Sequence, residues 1–258
     1  MALSPHGGSP TLGPSMATFL CMKWGTKYGP EYVNRLHAMV SRHMSGPFRF
    51  VCLTDSREGL SPGIETFPIP SLRLPPGSPE RGWTKLVSFS PELTAPGGPE
   101  LSGPVLFLDI DIVIVGPLDD FFRHPGDFLI MRERKRFRIQ GNSSVYRWTA
   151  GAHADVLEHF RANLDAVRAR HRNEQEFLVD HLARQGKVAY WPAAWCRSFK
   201  RHCVRWFPFS LFQAPEIPAG ARVIVFHGLP NPPDALVGRS GKWYRRVLPT
   251  PWIAEHWR

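Results

Sequence analysis

The stretch VLFLDIDIVIVGPLDDF, from Val105 to Phe121, places two acids, Asp109 and Asp111, within a run of apolar residues. A buried carboxylate is costly unless a cation pairs with it or a metal binds it. Two side chains that are two positions apart on a regular strand point to the same face of the sheet. At the carboxyl end of a parallel strand, both would face the crevice in which open α/β sheets bind ligands. The stretch therefore predicts a buried strand that delivers two carboxylates to one cleft.

The two aspartates carry like charges, which raise each other's pKa unless a cation neutralises them. Carboxylate oxygens are the ligands that Mg²⁺ and Mn²⁺ prefer. We therefore expect Asp109 and Asp111 to bind one of these ions. The alternative is a strand end with two solvated acids, and the apolar neighbours Phe107, Leu108 and Ile110 argue against it.

The first half of the chain alternates short apolar runs with helical spacing, which indicates a mostly parallel α/β sheet flanked by helices. The strand candidates are Ala17–Met22, Phe48–Leu53, Ile64–Ile69 and Pro104–Asp109, and the helix candidates are Glu31–Met44 and Trp83–Phe89.

The second half mixes further strand and helix candidates, and we expect its strands to continue the same sheet. The strand candidates are Asp127–Met131, Ser144–Trp148, Val188–Trp191 and Val223–Phe226, and the helix candidates are Ala152–Leu164 and Glu174–Ala183. We see no linker, and expect one domain over residues 16–258. Residues 1–15 have no signal-peptide pattern and are expected to be a disordered tail, with Met16 as an alternative start.

The composition favours anionic partners, because the 258 residues carry a formal net charge of +10 and the pI is near 9.9. Two basic stretches stand out, Arg132–Arg138 and Arg197–Arg205. They fit peripheral contact with an anionic inner membrane leaflet, an acidic or phosphorylated acceptor, or a solvated surface. Nucleic acid is not expected as a partner, since no recognition motif appears.

The cysteines favour a reducing compartment. None of the four forms a CxxC pair, and Cys21 and Cys52 lie in apolar runs typical of buried thiols. No apolar run approaches the ~20 residues of a membrane-spanning helix. We therefore expect a cytoplasmic protein, with peripheral contact at the inner face of the membrane.

Two chemistries fit an apolar strand followed by DxD. In a nucleotide-sugar transferase, the acids hold a metal that bridges the donor diphosphate. In a phosphatase of the haloacid dehalogenase type, Asp109 would be the nucleophile and Asp111 the acid/base. That second chemistry needs a downstream lysine and a later pair of acids, and no such pair follows Asp120. A catalytically silent protein that binds nucleotides or polyanions is a third alternative.

Five segments together resemble metal-dependent GT-A glycosyltransferases, in the family of glycogenin and the bacterial lipopolysaccharide galactosyl- and glucosyltransferases. The segments are FRFVCLTD, VLFLDIDIVIVGPLDDFF, GNSSVYRW, NEQEFLVDHL and VIVFHGLPNPP. The resemblance implies a GT-A fold and metal-dependent transfer of a sugar, from a UDP-sugar in the first instance, to a glycan or lipid-linked acceptor.

The resemblance also implies roles for single residues. Asp109, Asp111 and His227 would hold Mn²⁺ or Mg²⁺, and Lys85 would face the diphosphate or the donor sugar. The residues implied for the donor nucleotide and sugar are Trp24, Gly25, Thr26, Tyr28, Asp55, Asn142, Gln175 and Gly228, with Glu174 beside Gln175.

The chain departs from the family pattern in three places. Glu174-Gln175 stands where the family has Asp-Gln, Asn142-Ser143-Ser144 where it has Asn-Ala-Gly, and Asn231-Pro232 where it has Lys-Pro. The last change removes a cation from the diphosphate site, and Arg222, Arg239 or Lys242 could replace it. The resemblance favours retention at the anomeric carbon; inversion would need an acid such as Glu174 or Asp180 to deprotonate the acceptor.

Overall fold

The computed structural model describes residues 16–78, 80–135, 138–241 and 246–258. The expected tail over residues 1–15 lies outside these ranges, and the division into a tail and one domain stays a prediction. The strands are β1 (Ala17–Lys23), β2 (Phe48–Thr54), β3 (Glu65–Phe67), β4 (Pro104–Leu108), β5 (Val113–Ile114), β6 (Phe128–Lys135), β7 (Arg138–Thr149), β8 (Val188–Tyr190), β9 (Cys196–Ser198) and β10 (Val223–Val225). The α-helices are α1 (Pro30–His43), α2 (Asp119–Arg123), α3 (Ala154–Ala162), α4 (Leu164–Arg170), α5 (Glu174–Arg184), α6 (Pro232–Leu236) and α7 (Trp252–His256).

Seven strands form the main sheet, in the order β3-β2-β1-β4-β7-β6-β8. The first four are parallel to one another, β7 runs antiparallel to both β4 and β6, and β8 is parallel to β6. The predicted fold class, a mostly parallel sheet flanked by helices, is confirmed. None of the helices in the described part of the chain has the length and apolar character of a membrane span.

The expectation that all strands of the second half continue this sheet is correct for β6, β7 and β8 and wrong for β10. Val223 and Ile224 of β10 pair instead with β5, and the other edge of β10 pairs with β9. These three strands form a separate small sheet. Because β5 and β9 have only two and three residues, the period-2 pattern could not identify them in the sequence.

The central strands are buried on both faces, which explains why they read as continuous apolar runs. Along β1, Phe19 and Cys21 belong to one apolar layer, while Leu20 and Met22 belong to the layer on the opposite face. All four cysteines are free and buried, as expected for Cys21 and Cys52.

Strand β4 ends one residue earlier than predicted, at Leu108, so the two aspartates lie in the turn that follows it. The backbone N–H of Asp109 still donates to the carbonyl of Ser144 on β7, at 2.9 Å. Ile110 and Ile112 are buried after the strand, and these apolar anchors fix the turn against the core.

We expect Leu106→Ala, in the middle of β4, to lower the free energy of unfolding by about 2–5 kcal/mol, because Leu106 is fully buried and the substitution leaves a cavity. Urea denaturation followed by circular dichroism measures this. The matched control is Val237→Ala, whose side chain is 52% exposed and whose removal should cost less than about 0.5 kcal/mol. Equal losses in the two variants would contradict the assignment of β4 to the core.

Candidate functional site

A cleft of about 260 Å³ lies at the carboxyl ends of β1 and β4. It brings together two aspartates, two aromatic residues and a lysine that the sequence singled out. Its lining comprises Met22, Lys23, Trp24, Lys27, Tyr28, Lys85, Asp109, Ile110 and Asp111. Asp109 and Asp111 do share one cleft, although a turn rather than a regular strand places them there.

Lys85 neutralises Asp109. Its Nζ lies 2.6 Å from Oδ1 and 2.8 Å from Oδ2 of that carboxylate. Burial alone would lower the pKa of Lys85, but the charges of Asp109 and Glu174 more than offset this, and the pKa is raised. Lys85 is presented by the 3₁₀ helix Arg81–Phe89, and burial of its apolar residues holds the lysine over the cleft.

Asp111 has a neutral partner. The hydroxyl of Tyr28 donates to its Oδ2 at 2.9 Å. Burial and the neighbouring charge of Asp109 raise the pKa of Asp111 to about 6. Of the two carboxylates, Lys85 thus contacts that of Asp109 alone. Asp111 carries an unfavourable charge at neutral pH, which a further cation would relieve.

The loop after β1 supplies the aromatic side of the cleft. The Trp24 side chain is 40% exposed there, and Thr26 is exposed beside it. The N–H of Gly25 donates to Oδ2 of Asp55 at 2.7 Å, and Gly25 has φ +62°, a conformation that favours glycine. Asp55 thus fixes the loop that carries Trp24.

Asn142 joins the residues on the other side of the aspartates. Its Nδ2 lies 3.4 Å from Oε1 of Gln175 and 3.4 Å from Nδ1 of His227. The neighbouring Ser143 donates from its hydroxyl to Glu174, at 2.8 Å, and Lys85 Nζ is 3.5 Å from the Ser143 carbonyl. Three segments that are far apart in sequence thus meet next to the aspartates.

A bend in β7 makes this meeting possible. The β6–β7 register passes from Ile130 opposite Tyr146 to Met131 opposite Asn142, so part of β7 leaves the ladder with β6. Gly141 lies just before the bend, and a Cβ there would come within 2.5 Å of Val179 on α5. Sequence reasoning missed Gly141 and Ser143, although the glycine preceding Asn142 in GNSS was a visible signal.

His227 follows β10, and its Nε2 is buried without a hydrogen-bond partner among the described residues. Burial lowers the pKa of His227, and the nearby Lys200 and Arg201 lower it further, against Glu133 and Asp109, so the ring is neutral at pH 7. Lys200 donates to the His227 carbonyl. Gly228, the next residue, is exposed and has φ +62°.

The predicted metal ligands fit a divalent cation in their chemistry. Asp109 and Asp111 offer carboxylate oxygens, and His227 offers a neutral ring with an unpartnered nitrogen. In the parts of the chain that the structure describes, no three His, Cys, Asp or Glu side chains are grouped around one point. The role of Asp109, Asp111 and His227 as metal ligands therefore stays a prediction.

Two residues considered from the sequence, Arg222 and Asp180, are engaged elsewhere. Arg222 pairs with Asp120 at 2.8 Å and stacks on Trp195, so it does not supply the cation that replaces the family's lysine. Asp180 pairs with His171 and Arg184 in a separate groove, which removes it as an acceptor base. Lys242 lies outside the described residues.

A second, larger cleft of about 510 Å³ lies beyond His227. Part of each basic stretch lines it, because Arg132, Arg197 and Arg201 all face this space. Residues 136 and 137 of the first stretch lie outside the described ranges. The cleft therefore places positive charge next to the candidate donor site.

Comparison with known proteins finds a likeness in structure. No family model matches the sequence, and no curated protein matches it. The galactosyltransferase LgtC, in complex with donor and acceptor sugar analogues, superposes with a TM-score of 0.59 at 11% identity, over 83% of this chain and 88% of LgtC. An LgtC variant in which an active-site glutamine is replaced by glutamate gives 0.54 at 12% identity, over 83% of this chain and 89% of that chain.

The glycosyltransferase GlyE of Streptococcus pneumoniae TIGR4 gives a TM-score of 0.51 at 11% identity, over 84% of this chain and 56% of GlyE. At this level of identity the likeness establishes the fold. The chain has the GT-A fold that LgtC and GlyE share, which confirms the fold that the sequence resemblance implied.

We expect Lys85→Met, measured by urea denaturation in the presence of chelator, to lower the free energy of unfolding by about 3 kcal/mol, because it leaves the half-buried Asp109 carboxylate, beside Asp111, without its cation. In an Asp109→Asn background the same change should cost about 1–2 kcal/mol less, since the repulsion is gone. An equal cost in both backgrounds would contradict the energetic coupling of Lys85 and Asp109.

Proposed function

We propose that this protein is a glycosyltransferase, which moves a sugar from a nucleotide-diphosphate sugar, UDP-sugar in the first instance, to a glycan or lipid-linked acceptor. The observation that carries the proposal is the paired carboxylates Asp109 and Asp111 in a cleft with Trp24, Tyr28 and Lys85. The chain that carries this cleft has the fold of LgtC, a galactosyltransferase crystallised with donor and acceptor sugar analogues.

The carboxylates would hold Mn²⁺ or Mg²⁺, with His227 as the third protein ligand after a side-chain adjustment. Mg²⁺ in particular is held in many phosphate sites by one or two carboxylates, with substrate oxygens and water completing its shell. When bound, the cation would neutralise the negative charge that develops on the leaving diphosphate. The raised pKa of Asp111 supports the fit, because its causes are burial and the Asp109 charge, which a cation offsets.

The residues around the carboxylates fit the remaining parts of a sugar donor. The exposed face of Trp24 and the ring of Tyr28 would take the nucleotide base, and Asp55 would fix the Gly25–Thr26 backbone around the ribose. Lys85 would turn from Asp109 to the diphosphate once a metal neutralises that carboxylate.

Amide groups on the opposite side would orient the donor sugar. Asn142 and Gln175 lie 3.4 Å apart and offer donors and acceptors that suit sugar hydroxyls. An active-site glutamine occurs in LgtC, whose variant at that residue has been crystallised, and Gln175 is our candidate for the equivalent position. Gly228 would let the chain approach the donor closely beside His227.

The reaction breaks the bond between the anomeric carbon and the diphosphate oxygen, whose electron pair leaves with the nucleoside diphosphate. The acceptor oxygen bonds to the anomeric carbon, and its proton departs with the leaving phosphate. Glu174 is 8% exposed and accepts a hydrogen bond from Ser143, which makes it a poor base for an incoming acceptor. This supports a retaining transfer, as the sequence resemblance implied.

A phosphatase of the dehalogenase type is not favoured by any contact in the described part of the chain. That chemistry uses a lysine that follows the nucleophile in sequence, whereas the lysine on Asp109 is Lys85, which precedes it.

We expect calorimetric titration to detect UDP binding with Mn²⁺ and none with chelator, because Asp109 and Asp111 would hold the metal, whose positive charge would attract the diphosphate. Asp111→Asn should weaken binding by more than about tenfold. Asp165→Asn, an exposed acid on α4, removes the same charge elsewhere and should leave binding unchanged.

The donor role fails if UDP does not bind under any metal condition, or if Asp111→Asn binds it as wild type does. Hydrolysis of p-nitrophenyl phosphate in place of UDP binding would instead favour the phosphatase. UDP binding without transfer to any acceptor would favour the silent nucleotide-binding alternative.

Peripheral contact with an anionic membrane, through which the enzyme would reach a lipid-linked acceptor, is the second part of the proposal. Four large side chains are exposed within seven residues: Trp206 and Phe207 at 72%, Phe209 at 44% and Phe212 at 80%. The segment Arg197–Arg205, with four Arg or Lys residues, leads directly into them. Exposed aromatic residues beside cations are typical of protein surfaces that bind anionic lipid.

We expect the protein to sediment with vesicles that contain phosphatidylserine and to remain in solution with phosphatidylcholine alone. Phe212→Ser should weaken vesicle binding by about tenfold, because a large apolar side chain no longer enters the bilayer surface. Val237→Ser, at another exposed apolar position, serves as the control. Equal sedimentation of the two variants and wild type would exclude this segment as the membrane contact.

A further inference from the structure

The larger cleft, here called the basic cleft, is a built polar site distinct from the carboxylate cleft. Its volume of about 510 Å³ compares with about 260 Å³ for the carboxylate cleft. It lies between β6 and the segment around β9, and His227 lines its edge. His227 also contacts Asn142, so the basic cleft borders the residues proposed to orient the donor sugar.

The charges that line the basic cleft are mainly positive. Among its described lining residues, three arginines, Arg132, Arg197 and Arg201, face one acid, Glu133. Arg201 pairs with Glu133 at 3.0 Å, and Glu133 is 6% exposed, so this pair is internally compensated. Arg132 lies over the ring of Tyr190 at 5.6 Å and contributes a further positive charge.

The histidines of the basic cleft do not add to this charge. Burial lowers the pKa of His202, and the positive charges of Arg197 and Arg201 lower it further. His202 accepts a hydrogen bond from the backbone N–H of Ser198 through Nδ1, at 2.9 Å, which suits a neutral ring. The cleft therefore attracts an anion through its arginines at neutral pH.

Two buried polar atoms on residues that line this cleft have no hydrogen-bond partner among the described residues. They are Arg197 Nε and Ser198 Oγ. Ser198 is only 1% exposed, so bulk water does not satisfy its hydroxyl. Buried polar groups in folded proteins are almost always paired, and a concentration of unpaired ones around one cavity indicates a polar ligand or ordered water there.

The lining of the basic cleft also includes apolar residues. Trp191 is buried at 2% exposure and lines the cleft together with Pro192. Arginine forks and an aromatic residue that line one cleft suit a ligand that joins an oxyanion to a ring with apolar faces.

We infer that the basic cleft is the acceptor site and that the acceptor carries a phosphate or carboxylate group, which Arg197 and Arg132 bind. The inference rests on the proposed transferase function, since it names the substrate class for that reaction. It also accounts for part of the positive net charge. Arginines in the acceptor site favour an acidic sugar over a neutral one, which a cleft lined by uncharged residues does not.

The test measures the binding of small acceptor probes in the absence of donor, by calorimetry or ligand-observed NMR. The probes are glucose 6-phosphate, glucuronic acid and methyl β-glucoside. We expect at least one of the two anionic sugars to bind about tenfold or more tightly than the neutral glycoside, and the better one identifies phosphate or carboxylate as the recognised group. Arg197→Gln and Arg132→Gln should each reduce that affinity about tenfold.

Arg184→Gln is the matched control, because it removes the same charge from α5 in a separate groove and should leave probe binding unchanged. Thermal unfolding verifies that each variant is folded. If Arg197→Gln does not fold, Arg132→Gln, at an exposed position, carries the test and should by itself lower probe affinity about tenfold.

The inference is overturned if the neutral glycoside binds as tightly as both anionic sugars, or if the Arg184 variant loses as much affinity as the cleft variants. UDP titration on the same samples separates this inference from the proposed function. Probe selectivity without UDP binding would preserve the anion site and remove the transferase, whereas UDP binding without probe selectivity would remove the acidic acceptor alone.

Discussion

Two like charges held at the end of a buried strand are the constraint on which the rest of the site depends. Asp109 and Asp111 follow β4 directly, and both are half-buried among apolar neighbours such as Ile110 and Ile112. Such a pair persists only when other groups compensate it. Lys85 supplies a charge and Tyr28 a hydrogen bond, and each residue thereby becomes a wall of the cleft. The residues that compensate the two acids are therefore also residues that form the cleft.

The charge of the two acids is only partly neutralised, and this makes the site attractive to a further cation. One lysine contacts one carboxylate, while the other retains a pKa raised by burial and by its neighbour. A cation that enters here would replace repulsion with attraction. Lys85, once released from Asp109, could then contact phosphate oxygens. In the proposed function the same side chain would neutralise Asp109 before the donor binds and contact the donor afterwards.

The reversal of strand direction at β7 explains how groups from distant parts of the chain reach the aspartates. β4 and β7 are antiparallel neighbours, and the irregular β6–β7 register frees the segment around Ser143 to face Lys85, Glu174 and Gln175. Gly141 removes the side chain that would hold α5 away. On the far side, His227 lines the basic cleft and contacts Asn142, so the basic cleft borders the residues that gather beside the aspartates.

The sequence by itself determined the strands with long apolar runs, the parallel first half of the sheet and the importance of Asp109 and Asp111. These features can be recognised from neighbouring residues in the sequence. A buried strand requires consecutive apolar residues, and a carboxylate within such a run requires a cation or a metal as its partner. The family resemblance further pointed to Lys85, Asn142, Gln175 and Glu174, which the structure brings together next to the aspartates.

Only the tertiary structure decided which charges meet. The pairing of Lys85 with Asp109, the withdrawal of Arg222 to Asp120, the departure of β10 into a second sheet and the basic cleft around Arg197 all depend on contacts between segments far apart in the chain. Periodicity and composition carry no information about such contacts, because a side chain's partner is set by how the elements pack and not by the residues next to it in sequence.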